Sequence, residues 1–110
     1  MRTYKQFHGD VFISEIGKEL RKIVKIEKKA FKILTGYGSG GGKSKSKQAA
    51  LKSLRNMKKQ ELIKGYCPGE VKHQLLDQKS PFLETKNLYE SVLKSDPDFG
   101  NDGIIFVFIK

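Results

Sequence analysis

From Ile13 to Val24 the apolar residues Ile13, Ile16, Leu20, Ile23 and Val24 recur every three or four positions, with Lys18, Arg21, Lys22 and Lys25 filling the polar ones. That spacing predicts an amphipathic helix ending near Lys28 and Lys29, where cations suit the negative helix terminus. A second helix is expected to start at Ser44 or Ser46, either of which can cap it. It would bury Ala50, Leu51, Leu54 and Met57 and leave Lys47, Lys52, Arg55, Lys58 and Lys59 in water. Short β-prone runs surround these helices: Tyr4 to Phe7, Ala30 to Leu34, Leu62 to Tyr66, and Ile104 to Ile109. The last is unbroken in its apolar character, which predicts an interior strand covered on both faces.

Glu70 to Lys79 gives a weak pattern, a short helix or an irregular excursion. Ser80-Pro81 then opens a further helix with Leu88, Tyr89, Val92 and Leu93 as its apolar stripe. Residues 96 to 103 are rich in Asp, Gly and Asn and read as turns; the spacing of Asp96, Asp98 and Asp102 does not fit a calcium loop. Two successive strand-helix-strand units imply a partly parallel sheet with right-handed crossovers. Ligands of such sheets sit beyond the carboxyl ends of the strands. If the first two strands are parallel, His8-Gly9 and Thr35-Gly36 share one rim.

Composition adds an electrical asymmetry to this plan. Residues 1 to 60 carry 16 Lys and Arg against 4 Asp and Glu, a net of +12, whereas residues 61 to 110 carry 6 against 8, a net of −2. A polyanionic partner is expected, nucleic acid ahead of a membrane because no long apolar span or basic amphipathic anchor is present; the alternative is a generic solvated surface. A chain of 110 residues is one domain with a modest core. The single Cys67 cannot close an internal disulfide, and no leader pattern opens the chain, so a reducing, cytoplasmic setting is expected. His8, Cys67 and His73 are too scattered for zinc, and no metal ligand set is assigned; His73 is expected on the surface.

The segment 35 to 47 carries the candidate chemistry, with five glycines and three lysines between a strand and a helix. Glycines let backbone N–H groups approach an anion, and the helix N-terminus adds partial positive charge. A solvated linker is the plain alternative. A phosphate-binding Walker loop is excluded because Tyr37 stands where its first glycine is required, and no magnesium-binding Asp follows an apolar strand. Gly36, Gly38 and Gly41 match the dinucleotide pattern, with Glu61 twenty residues further on, but Glu61 precedes the third strand instead of following it.

Phe7-His8-Gly9 after the first strand, Thr35-Gly36-Tyr37-Gly38 after the second, and the Gly103-led apolar strand together resemble the Smr domain family, a small α/β module related to the C-terminal domain of a MutS-like bacterial protein. The resemblance covers most of a single domain, 1 to 110, with residues 70 to 98 as an insertion or lengthened connection. It implies a two-layer α/β sandwich, here a roughly four-stranded mixed sheet with two main helices and an extra helical excursion. It also implies binding of DNA or RNA, with endonuclease activity in some members. Where the family has an acidic residue in its first motif, this chain has Gln6, and where it has the preceding leucine, Lys5. An amide is neither a carboxylate base nor a strong metal ligand, so binding is expected ahead of cleavage. Nearby Asp10 reads as a cap of the first helix.

The candidate catalytic residues are His8 and Thr35. His8 is a general acid, a general base or a phosphate contact, or else a turn histidine bonded to backbone; Thr35 donates to a phosphate or satisfies its own loop. Nucleic-acid contacts are expected from Gly36, Tyr37, Gly38, Lys43, Lys45, Lys47, Lys52 and Arg55, with Tyr37 able to stack on a base. The leading function is a nucleic-acid-binding domain, with ribosome-associated RNA among the expected partners. The alternatives are a magnesium- or manganese-assisted endonuclease and a non-catalytic module whose acidic half docks a protein.

Overall fold

A computed structural model describes residues 1–36 and 44–110. Those residues form four strands, β1 (Arg2–Tyr4), β2 (Ala30–Leu34), β3 (Gly65–Pro68) and β4 (Ile104–Phe108), in one sheet of order β1-β2-β4-β3. They also form four α-helices, α1 (Ile16–Ile26), α2 (Lys45–Lys59), α3 (Leu83–Leu88) and α4 (Glu90–Ser95). β1 runs parallel to β2, while β4 is antiparallel to both β2 and β3, so the sheet is mixed as expected. The crossovers through α1 and α2 advance in the same direction across the sheet, and a common right hand places both helices on one face. Leu20, Ile23, Leu54 and Met57 from the helices meet Phe31, Ile33, Ile105 and Val107 from the strands there.

The alternate strand positions point the other way. Ile104, Phe106 and Phe108 are buried against Val71, Leu93 and Phe99 of segment 69–103. Tyr89 clamps this second layer, its ring stacked on Phe108 at a centroid distance of 3.9 Å and 6° between planes. All five residues of β4 are buried, which confirms the interior strand covered on both faces. Cys67 lies in the same layer, where burial pushes its thiol up to about 12 and keeps it a protonated core group.

Several boundaries differ from expectation for local reasons. β1 stops at Tyr4 because the chain curls into a turn, Asp10 N–H donating to Gln6 C=O at 2.9 Å, and Phe7 swings into the core instead of extending the strand. Asp10 is exposed and caps nothing: a 3-10 turn at Ile13–Glu15 leads into α1, and Phe12 precedes it without a side-chain cap bond. β3 starts three residues later than Leu62, since α2 ends in a Schellman turn that consumes those residues. Leu62 N–H reaches Met57 C=O at 2.9 Å and Glu61 N–H reaches Lys58 C=O at 3.0 Å, with Glu61 at φ 61°. The helix expected after Pro81 breaks at Tyr89 into α3 and α4, and its inner stripe is Thr85, Tyr89 and Leu93, leaving Leu88 and Val92 exposed.

One buried cation was not anticipated. Lys32, in the middle of β2, is almost fully enclosed, and its ammonium donates to Asp96 Oδ1 at 3.0 Å and Asp98 Oδ2 at 2.8 Å. Burial pulls the Lys32 pKa down, but the hydrogen bonds and charges of Asp98 and Asp96 outweigh it and hold the group above its ordinary value. A folded pKa raised above the unfolded one stabilises below the unfolded value and is lost as pH climbs through the folded one.

Lys32→Ala is therefore expected to cost about 3 kcal/mol at neutral pH, the low end for breaking a buried pair because Asp98 keeps partial access to water. Urea denaturation across pH checks this, and the gap between wild type and Lys32→Ala should narrow above pH 10.5. Glu61→Gly should add about 0.5–1 kcal/mol in the same assay, since glycine adopts the left-handed conformation of that turn without steric cost.

Candidate nucleic-acid interface

Because β1 and β2 are parallel, the turns that leave their carboxyl ends lie side by side. The structure thus brings together His8 and Gly9 after β1, Gly36 after β2, and Ser44, Lys45 and Ser46 at the start of α2, around a cleft of about 450 Å³. Val11, Phe12 and Ile13 form its apolar wall.

The rim is tied by serine hydroxyls. Gly36 N–H donates to Ser46 Oγ at 3.2 Å, the Ser44 and Ser46 hydroxyls share a hydrogen bond at 2.9 Å, and Ser44 Oγ accepts from Lys47 N–H at 3.2 Å. Ser44 is thus the cap of α2, while Ser46 fastens the helix to the end of β2. A Cβ at Gly36 would stand 3.0 Å from Ser44 Oγ, so a glycine lets strand and helix close to this distance. On the opposite side the turn bearing His8 holds Gly9 at φ 104°, a conformation that favours glycine. His8 itself is exposed, with its backbone N–H bonded to Lys5 C=O at 3.1 Å.

Thr35 does not reach this cleft. It is fully buried, and its hydroxyl and backbone N–H both donate to Gly103 C=O, at 3.3 and 2.7 Å. The residue extends the pairing of β2 with the β4 side of the sheet, and that removes it from the candidate catalytic set. Lys47 also departs from expectation: its ammonium pairs with Glu70, so it is a strut between α2 and the segment after β3 instead of a free phosphate contact. Lys45 lines the cleft and is exposed. Lys52 is exposed further along α2, and Arg55 lies ten residues from Lys45, about 15 Å along the helix, where it borders a second groove with Lys58, Lys59, Tyr66 and Pro81. Tyr37, Gly38 and Lys43 lie outside the described residues.

Among the described residues no carboxylate lines the cleft, and no three His, Cys, Asp or Glu side chains gather to hold a metal ion. The described cleft residues thus offer no carboxylate oxygen of the kind that holds magnesium or manganese. No protein-family model matches this chain, and neither a curated protein nor a solved structure does. Among the described residues no helix is long and apolar enough to cross a membrane.

Ser44→Ala removes the cap and one end of the hydroxyl chain. It is expected to lower stability by about 1 kcal/mol in urea denaturation, and an unchanged midpoint would mean that the serine chain does not hold the rim.

Proposed function

We propose that this chain is an Smr-like nucleic-acid-binding domain that grips the phosphate backbone through the outer surface of α1 and α2 and the adjoining rim. The observation that carries this reading is the placement of both helices on one face of the sheet. Lys18, Arg21, Lys22 and Lys25 of α1 and Lys52, Arg55 and Lys59 of α2 are all exposed. Among the described residues none of these seven makes a salt bridge. The segment 69 to 103, which builds most of the opposite layer, has 7 acidic against 4 basic side chains, but Glu70 and Glu84 pair with Lys47 and Lys58 of α2, and Asp96 and Asp98 share Lys32 of β2. Among the described residues the α1 and α2 side therefore presents more unpaired cations than the opposite layer. A polyanion approaching from solution is steered to the α1 and α2 side.

Lysine and arginine on helix surfaces bind phosphates without reading sequence, by displacing condensed counterions. Binding stands ahead of cleavage because Gln6 stands where the Smr family has a carboxylate and, among the described residues, the cleft brings no acidic side chain to His8.

Affinity for nucleic acid should fall linearly with salt on a log-log plot. Lys52→Gln and Arg55→Gln should each flatten the slope by about 0.7–0.9, whereas Lys94→Gln on the opposite layer should leave it unchanged. Equal effects from all three, or affinity indifferent to salt, would refute the oriented cationic surface. The same mixtures, incubated with magnesium or manganese, should yield intact nucleic acid; cleavage abolished by His8→Ala would assign the endonuclease reading instead.

A further inference from the structure

Phe12 has no counterpart among the phosphate-binding groups, yet it is the most conspicuous side chain of the cleft. It is 82% exposed, and the neighbouring Ile13 is 48% exposed. Leaving an aromatic ring in water forgoes much of the free energy of burying it. Its backbone is nevertheless held firmly: Phe12 C=O accepts from Glu15 N–H at 2.8 Å in the 3-10 turn, and Val11 beside it packs on the core. The turn that carries the ring is thus ordered, and a stacked ligand has only the two χ angles of the side chain to fix.

What can cover it is limited by the surrounding charge. Lys45 borders the same cleft and the exposed face of α1 beyond Phe12 carries Lys18, Arg21, Lys22 and Lys25, while the exposed acids Asp10 and Glu15 flank Phe12 in the chain and do not line the cleft. An occupant that covers the ring and meets Lys45 therefore combines a flat apolar surface with adjacent negative charge. An unpaired nucleotide does so, with its base on the ring and its phosphate toward Lys45. A paired base within a duplex hides its faces in the stack and offers none to Phe12. Resting on the backbone-binding reading above, we infer that Phe12 is a base-stacking residue and that the ligand of this cleft is single-stranded nucleic acid or an unpaired segment of a folded one.

The chain contains no tryptophan, so Phe12→Trp introduces a single reporter at the platform. The full chain and its Phe12→Ala and Phe12→Trp variants are titrated with oligo-U, oligo-dT, a DNA duplex of equal length and inorganic polyphosphate. Thermal unfolding is followed in parallel to verify that the variants fold. Phe12→Ala is expected to bind oligo-U or oligo-dT about tenfold more weakly and polyphosphate unchanged. Emission of the Phe12→Trp variant should be quenched by the single strands and not by polyphosphate. A Phe12→Ala variant that binds single strands like wild type, or loses affinity for all four probes alike, overturns the stacking role while backbone binding stands. Failure of every nucleic acid to bind overturns both. Concentration-dependent self-association abolished by Phe12→Ala, seen by sedimentation without any probe, would assign the ring to a second copy and overturn the inference.

Discussion

The sheet depends on one pairing event, the entry of β4 between β2 and β3. Neither of those strands touches the other; each is bonded to β4, Phe31 opposite Val107 on one side and Tyr66 opposite the same Val107 on the other. Antiparallel ladders on both flanks satisfy the backbone of β4, and its side chains supply both cores at once, Ile105 and Val107 to the α1 and α2 face, Ile104, Phe106 and Phe108 to the other. Without that strand, β3 has no place in the sheet and the two helix-bearing units share no common floor. The hydrophobic monotony of residues 104 to 108 follows from this position, since a strand with no solvent side cannot alternate.

That same position explains which parts of the fold could be read from the chain. Long periodic patterns such as those of α1 and α2, and the unbroken run of β4, report burial directly, and they agree with the structure. Shorter runs do not, because turn geometry decides their limits. Leu62 and Ile63 look like the start of a strand, but the Schellman turn at Glu61 winds them back before β3 begins at Gly65. Leu88 and Val92 fit a helical stripe equally well as Thr85 and Leu93; a break at Tyr89 determines which face turns inward. The partnership of Lys32 with Asp96 and Asp98 links residues 64 and 66 positions apart, and no local pattern carries that information. A lysine inside an apolar strand was the only signal, pointing to a buried partner without naming it.

For the candidate site, the coarse placement was legible and the individual roles were not. Parallel pairing of β1 and β2 unites the turns at His8 and Gly36, as strand polarity implied. Thr35, though adjacent in sequence to Gly36, still belongs to the strand ladder and faces inward. Lys47 is adjacent in the same way to the cleft residues 44 to 46, but helical rotation carries it toward Glu70. Phe12 resembles core in the sequence because it stands directly between the apolar Val11 and Ile13. Only the start of the 3-10 turn shows that it faces water.

The enclosed ammonium of Lys32 has a consequence beyond stability. Side chains of a strand alternate between faces, so sliding β2 by one residue would exchange its two sets of neighbours. Lys32 would then enter the apolar layer of Leu20, Ile23 and Leu54, and Asp96 and Asp98 would lose their counterion. An apolar residue at this position would tolerate either register. The charge makes the wrong alignment costly, and so acts as a key that admits β2 to the sheet in one setting, the same setting that brings Gly36 level with the turn of His8.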